Sequence, residues 1–439
     1  MSSKYLQKAF DTPLVLSAGY LLFSIALFII SPMFPYADNR FYTLLYGCAA
    51  VIFFVVGYRA YISRVGGDYT VYSGGSTRLD AVIILACFAN IIYYVPQINS
   101  ALDYYGFSVF DSFNDIGMNY LTKDELIEDL GYQTLGPVYS ILNILAFLQI
   151  VAFVVPVFKW SEIGSIAKIL TIVSAVVVMF FYISIGTMSG AFYIVVLSFS
   201  GWLASQYFGN LDRVDSIKVA VAKFTKIIRY GLAVGFAFFL FMVFNLSSRS
   251  ERINVNLPLL YDDGSVIYRI FGHRIGDGIG LALAYISHGW YGLGKSFEVD
   301  FLWTQGLSFS RVLTSYYYRF AGIVSEPIPL SYPVRQENLT GYPPFSYWST
   351  AFPWLASDFT FAGALILMAL FGAFYAKMWV GAVREGCLVS VTLFGLLTIG
   401  ALFLNANMQI TDNKMLMLAF MALCCMYPFR GVINRAIMA

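Results

Sequence analysis

The sequence predicts an all-α polytopic membrane protein with about ten transmembrane helices and one large loop on the outward side. The first observation is composition, because 59% of the 439 residues are hydrophobic and only 12% are charged, against about 25% charged in soluble domains. The second is that apolar residues form runs of about 20, the length that crosses a bilayer as a helix. The third is that Lys and Arg concentrate in alternate connections.

Ten apolar runs are long enough to span a membrane. They cover residues 14–31, 41–62, 79–98, 138–158, 166–186, 190–208, 230–246, 359–380, 388–404 and 414–429. Each run is predicted to be helical, because a helix satisfies all its backbone hydrogen bonds within lipid.

The distribution of basic residues orients the ten runs. Lys4 and Lys8 place the N-terminus in the cytoplasm. The connections that then face the cytoplasm hold Arg59, Arg64, Arg78, Lys159, Lys168, Arg213, Lys218, Lys223, Lys226, Arg229, Lys377, Arg384, Arg430 and Arg435. The outward connection 99–136 instead carries seven acids and the single basic residue Lys123. Both termini are therefore predicted to be cytoplasmic.

This orientation divides the chain into three parts. Residues 1–246 form an N-terminal bundle of seven helices with an acidic outward loop, 99–136, and a cytoplasmic segment, 212–230. Apolar residues recur at helical spacing in that segment, which predicts an amphipathic helix on the anionic leaflet; an ordinary basic connection explains it nearly as well. Residues 247–358 form the large outward loop, and residues 359–439 hold three further helices.

The stretch 285–319 within the large loop suits neither a plain loop nor a plain span. It is rich in aromatic residues and glycine but also contains His288, Lys295, Glu298, Asp300 and Arg311. Ionisable groups in lipid are costly and usually functional. We therefore expect this stretch to fold back against the bundle, in partly helical segments, and to line a cavity.

Arginine is concentrated in the large loop. Its seven arginines are Arg249, Arg252, Arg269, Arg274, Arg311, Arg319 and Arg335. Arginine binds phosphate through two parallel hydrogen bonds and keeps its charge. Each could equally pair with a carboxylate of the same loop, but the set as a whole favours an anion site.

Two interpretations of His288 are equally supported by the sequence. It is either a core histidine whose ring is hydrogen-bonded within the protein or a catalytic base. The other histidine, His273, is too far along the chain to indicate a metal site with it. The five cysteines lie in or beside apolar runs, which argues against disulfides and zinc. No basic, aromatic-interleaved segment indicates nucleic-acid binding.

Three stretches together resemble a known family. They read YISHGWYGL at 285–293, FLWTQG at 301–306 and WSTAFPWLASD at 348–358. In these stretches the chain is similar to bacterial Wzy-type O-antigen polymerases, also called oligosaccharide repeat unit polymerases. The detailed likeness covers about residues 284–363. One departure is the outward turn GTMSG at 186–190, where many relatives have a basic residue, so loop arginines would have to substitute for it.

The resemblance implies a fold, a reaction and partners. The fold would be that of the helical GT-C glycosyltransferases in the bacterial inner membrane, with the large loop periplasmic. The reaction would transfer a growing chain from undecaprenyl diphosphate to a sugar hydroxyl of a new lipid-linked repeat unit, without metal or other cofactor. Donor and acceptor would both be undecaprenyl-diphosphate-linked oligosaccharides, and a Wzz-type chain-length regulator and a Wzx-type flippase would be partners beside the bilayer.

The residues can be assigned to the steps of that reaction. A carboxylate or histidine can take the acceptor proton, arginines can stabilise the departing diphosphate, and rings can pack on sugars or prenyl chains. The catalytic candidates are His288, Glu298 and Asp300. The diphosphate-binding candidates are Arg249, Arg252, Arg274, Arg311 and Arg319. The sugar- or lipid-binding candidates are Trp290, Tyr291, Trp303, Tyr316 and Trp348.

Two alternatives belong to other functional classes. An O-antigen ligase would share the helices, the loop and the donor, but would transfer the polymer to lipid A-core. A flippase for lipid-linked oligosaccharides would need charges along its mid-membrane helices and no large outward loop. The three stretches favour the polymerase.

Overall fold

The computed structural model describes residues 3–66, 70–72, 76–105, 137–185, 187, 189–208, 264–321, 328–342, 344 and 348–438, and parts of 225–243. Across these residues every regular element is helical. The α-helices are α1 (Ser3–Ile30), α2 (Arg40–Ile62), α3 (Thr77–Tyr105), α4 (Pro137–Ile144), α5 (Phe147–Phe158), α6 (Ser165–Ser184), α7 (Ser189–Tyr207), α8 (Val266–Ser296), α9 (Arg311–Ala321), α10 (Tyr332–Thr340), α11 (Ala351–Val380), α12 (Leu388–Phe403), α13 (Gln409–Asp412), α14 (Lys414–Met426) and α15 (Arg430–Met438).

Six helical stretches of the described chain are long and apolar enough to cross a membrane. They are Ala9–Ile30, Arg40–Ile62, Thr77–Asp103, Ser165–Ser184, Ala351–Glu385 and Lys414–Met438. Each overlaps one of the ten predicted runs, but Ala351–Glu385 begins inside the predicted large loop, which was expected to extend to residue 358. The protein is thus all-helical in its described part and has the helices of a multi-pass membrane protein.

The other four predicted runs have different outcomes. Residues 190–208 and 388–404 form the single helices α7 and α12. The prediction of one unbroken helix over 138–158 was wrong, because α4 ends at Ile144 and α5 begins at Phe147. No proline or glycine lies at this break, so the sequence carried no signal for it. Run 230–246 is described only in part.

A close glycine crossing joins the two ends of the chain. A Cβ atom on Gly57 of α2 would stand 1.8 Å from the carbonyl oxygen of Ala369 on α11. A Cβ atom on Gly372 would stand 2.2 Å from the carbonyl oxygen of Phe54. Small residues allow such backbone contact between membrane helices. The N-terminal and C-terminal helices therefore share one buried core.

The large loop is folded against this core through α8. Trp290 donates its indole N–H to the hydroxyl of Ser24 on α1 at 3.1 Å, and its ring lies against Gly47 of α2. At the end of α8, Lys295 forms an ion pair with Asp38 in the connection between α1 and α2. The described part of the loop is thus largely helical and packed on the bundle, as expected.

Several predictions lie outside the described residues. They concern residues 106–136 of the acidic loop, most of the segment 212–230, two residues of the turn 186–190, Arg249, Arg252 and the side chain of Arg319.

Candidate functional site

The three stretches that carry the resemblance pack together as one unit. The backbone N–H of Thr350 donates to the carbonyl oxygen of Gly289 at 3.1 Å. The backbone N–H of Thr304 donates to the carbonyl oxygen of Ser357 at 3.2 Å, and the Thr304 hydroxyl donates to Asp358. Stretches far apart in sequence are therefore joined by direct hydrogen bonds.

The glycines of α8 make this contact possible. A Cβ atom on Gly289 would stand 2.0 Å from the carbonyl oxygen of Asn405, and one on Gly292 would stand 3.0 Å from the Cα atom of Ser349. Only glycine permits such close approach of another backbone. The glycine pattern of the 285–293 stretch is thus explained first by packing.

His288 is buried where the 285–293 stretch meets Trp348, with 5% of its surface exposed. Its Nδ1 atom lies 2.8 Å from the carbonyl oxygen of Ala284. Because a carbonyl only accepts, Nδ1 carries the proton and Nε2 keeps a lone pair. The Nε2 atom is buried and has no hydrogen-bond partner within the described chain. Burial lowers the pKa of His288 to about 4, so the ring is neutral near pH 7, with a free lone pair on Nε2 but with less basicity than an exposed histidine.

Aromatic residues enclose the His288 ring. The ring centroid of Trp348 is 4.3 Å from that of His288, and Tyr285 lies 4.6 Å from Trp348. The Tyr342 hydroxyl donates to the His288 carbonyl oxygen at 3.2 Å. The indole N–H of Trp348 is buried and lacks an acceptor among the described residues. A donor and an acceptor on neighbouring rings are the two groups that one hydroxyl can satisfy together.

Asp358 is the buried carboxylate of the unit. It accepts hydrogen bonds from the Thr304 hydroxyl, from the Ser308 hydroxyl at 3.3 Å and from the backbone N–H of Phe309 at 2.8 Å. A buried carboxylate is tolerated when it is hydrogen-bonded in this way. Asp358 therefore fixes the 304–309 turn against the start of α11.

Arg311 has a partner outside the large loop. Its Nη2 atom lies 3.2 Å from Oδ2 of Asp412, and its backbone N–H donates to Oδ1 of the same carboxylate at 3.2 Å. Asp412 thus pairs with the guanidinium and also caps the first turn of α9. Burial raises the pKa of Asp412, and Arg311 opposes that shift. About 40% of the Arg311 side chain remains exposed.

The other predicted charged residues lie nearer the surface. Arg274 is exposed on α8. Glu298 and Asp300 are exposed as well, and neither carboxylate hydrogen-bonds to the His288 ring. Glu298 accepts from the side chain of Asn39 at 3.2 Å. Of the three catalytic candidates, only His288 lies inside the packed unit.

Of the five aromatic residues predicted to bind sugar or lipid, only one lies beside His288. Trp348 lies beside His288, whereas Trp290 and Tyr291 are buried in the core. The Trp290 ring is covered by Gly47 and Phe352, so it serves as a packing residue. Trp303 is 61% exposed, and Tyr316 is partly buried on α9.

Sequence reasoning assigned no role to three polar residues that organise this region. Asp358 and Asp412 fix the ends of the 304–311 segment, and the Asn405 side chain donates to the carbonyl oxygen of Ile286 at 2.7 Å. Each lies beside or between apolar runs. A polar side chain in that setting is the signal that could have found them.

Comparison of the chain with protein-family models, curated proteins and solved structures found no match. Within the described residues, no group of three His, Cys, Asp or Glu side chains is placed to hold a metal ion.

Proposed function

We propose that the protein is a Wzy-type polymerase that joins undecaprenyl-diphosphate-linked oligosaccharide repeat units at the periplasmic face of a bacterial inner membrane. The observation that supports it is that the three family-like stretches are joined by hydrogen bonds and hold a neutral, buried His288 whose Nε2 atom has no partner in the described chain. The proposal includes ten membrane helices of GT-C type and cytoplasmic termini.

The chemistry begins with the acceptor hydroxyl. Bound at the ring nitrogens of His288 and Trp348 that have no partner among the described residues, it would accept from the indole N–H and donate to Nε2. His288 takes the hydroxyl proton as the oxygen attacks the anomeric carbon of the donor. The bond between that carbon and the diphosphate oxygen breaks, and undecaprenyl diphosphate leaves with the bonding electrons.

The leaving diphosphate needs fixed positive charge. Arg311 is the best-supported clamp residue, because a buried carboxylate holds its guanidinium while part of it stays accessible. Arg249, Arg252, Arg274 and Arg319 remain further candidates for this role. A Wzx-type flippase would supply the lipid-linked units, and a Wzz-type regulator would set the polymer length.

The test uses lipopolysaccharide from a deletion strain, separated on a gel. Loss of the gene should leave single repeat units on the lipid A-core, and wild-type protein should restore the long ladder. His288→Ala should leave single repeats at normal protein level, whereas His273→Ala, at an exposed histidine, should restore the ladder. A deletion strain whose lipopolysaccharide carries no repeat at all would identify a ligase or flippase instead.

A second arm uses purified protein and one synthetic lipid-linked repeat unit. Polymer formation from that substrate alone would support the proposal, since a ligase would also need lipid A-core. Failure of folded protein, from a preparation that restores the ladder in the deletion strain, to extend the unit would contradict it.

A further inference from the structure

We propose that Phe301, Leu302, Trp303 and Phe359 form an apolar rim that inserts into the boundary between headgroups and acyl chains of the adjacent lipid leaflet. The partner is therefore a lipid surface. The inference rests on exposure and anchoring, and it holds whatever reaction the neighbouring site performs.

The rim consists of large apolar side chains that the rest of the protein leaves uncovered. Phe301 and Leu302 are each 43% exposed and Trp303 is 61% exposed, and Phe359 is 43% exposed. The first three are consecutive residues of an irregular segment, so three exposed apolar side chains lie within one short stretch. Contiguous exposed apolar residues indicate a protein or membrane contact.

The exposed segment is held at both ends. On one side, Arg335 donates to the carbonyl oxygen of Asp300 at 2.6 Å. On the other side, Thr304 is fully buried and bonds to Ser357 and Asp358. The backbone is thus fixed where Phe301, Leu302 and Trp303 are exposed. Contact of these apolar side chains with water is unfavourable, and burial in lipid would remove that cost.

The anchoring also sets the depth of the rim. Ser357 and Asp358 directly precede Phe359, where the long apolar run of α11 begins. Along that run, Ile366 and Leu370 are also strongly exposed. Ile366 and Leu370 are four residues apart on one helix face, and Phe359 precedes them just before Thr360, whose φ of 64° breaks α11. The rim therefore adjoins the exposed apolar side chains of a candidate membrane span, Ala351–Glu385.

The chemistry of the rim favours lipid over sugar. Tryptophan is enriched at the headgroup level of membranes. Two polar groups beside the rings are already used within the protein, since the Thr304 hydroxyl bonds to Asp358 and the Asp300 carbonyl oxygen accepts from Arg335. The exposed side chains of Asp300 and Gln305 flank the segment and would lie among the headgroups.

The test measures the fluorescence of full-length protein in lipid nanodiscs. The contribution of Trp303 is the difference between wild type and Trp303→Phe, with Trp303→Tyr as a second variant. Nanodiscs are made with lipids brominated either near the headgroup or near the chain end, and potassium iodide is the aqueous quencher. Trp354→Phe is the matched control, because Trp354 is 3% exposed.

The Trp303 contribution should have a blue-shifted maximum and should lose most of its intensity with lipid brominated near the headgroup. It should lose less with bromine at the chain end and little with iodide. The Trp354 contribution should respond to none of the three. Strong iodide quenching without quenching by bromolipid would place the rim in water, and absence of both would indicate a protein contact; either result overturns the proposal.

Discussion

The carbonyl oxygen of Asn405 lies 2.0 Å from the position that a Cβ atom on Gly289 would occupy. The side chain of the same asparagine donates to the carbonyl oxygen of Ile286. Helix α8 and the segment after α12 thus meet backbone to backbone beside His288. A methyl group at 289 could be accommodated only if one backbone moved.

Gly289→Ala should therefore destabilise the protein by about 1–3 kcal/mol, the usual cost of overpacking a well-packed site. Gly19→Ala is the control, because a Cβ atom on Gly19 would meet nothing within 4 Å. Alanine has the higher helix propensity, so that variant should be neutral or up to about 1 kcal/mol more stable. Thermal unfolding in detergent measures both, and equal unfolding temperatures would contradict the packing described.

The lowered pKa of His288 predicts a pH dependence of stability. An unfolded histidine titrates near 6.5, and the folded value is about 4, so the unfolded state binds more protons between these values. The free energy of unfolding should then fall by about 3 kcal/mol as the pH drops from the unfolded pKa to the folded pKa. Below the folded pKa, His288 should contribute no further change. His288→Gln should flatten the dependence, whereas His273→Gln should leave it in place. The measurement is the unfolding midpoint at pH 7.5, 6 and 5.

The proposed polymerase activity should depend on the planar shape of the Arg311 guanidinium as well as on its charge. Arg311→Ala should cost on the order of 2–5 kcal/mol of transition-state binding, by analogy with truncating one partner of a buried charge pair. Arg311→Lys keeps the charge opposite Asp412 but loses the bidentate geometry, so it should not restore full polymer length. Repeat-unit ladders and protein levels are compared in the same strains. A normal ladder from Arg311→Ala would remove this arginine from the proposed clamp.

Thr360 lies in a backbone region that normally belongs to glycine. Its φ of 64° and ψ of 165° interrupt α11, and its hydroxyl accepts from the backbone N–H of Gly363 at 3.3 Å. Thr360→Ala removes the hydrogen bond to the hydroxyl but keeps the backbone strain of the positive φ. Thr360→Gly also removes the hydrogen bond, but glycine adopts the positive φ without strain. Glycine should therefore be the more stable of the two by about 1–3 kcal/mol, the reverse of their order inside a helix. Unfolding temperatures of the two variants decide the order.

Helix positions could be predicted where apolarity and length decide the structure. The predicted run 41–62 corresponds to Arg40–Ile62, and 388–404 corresponds to Leu388–Phe403. Charged or polar residues flank such runs, so the pattern itself marks their ends. The break between Ile144 and Phe147 has no comparable signal, because no proline or glycine lies there and the polar residues beside it, Asn143 and Gln149, are isolated within an apolar run.

Only those residues of the candidate site that lie close together in the sequence could be predicted. His288 and the glycines beside it could be singled out, because an ionisable group within an apolar stretch is unusual. Arg311 could be named, but its partner Asp412 lies 101 residues further along the chain. Composition and spacing cannot show which distant carboxylate a folded chain brings to an arginine. The donors to Asp358 are hidden for the same reason.

The contact between Gly57 and Ala369 has a consequence for how the protein is made. Helix α2 leaves the ribosome long before α11, since α3 to α10 are synthesised between them. The glycine face of α2 is therefore covered by lipid or by the insertion machinery until α11 has been inserted. One of the closest contacts in the bundle is thus among the last to form. A chain truncated before Ala351 would lack it, and α2 would be left without the neighbour that covers its glycine face.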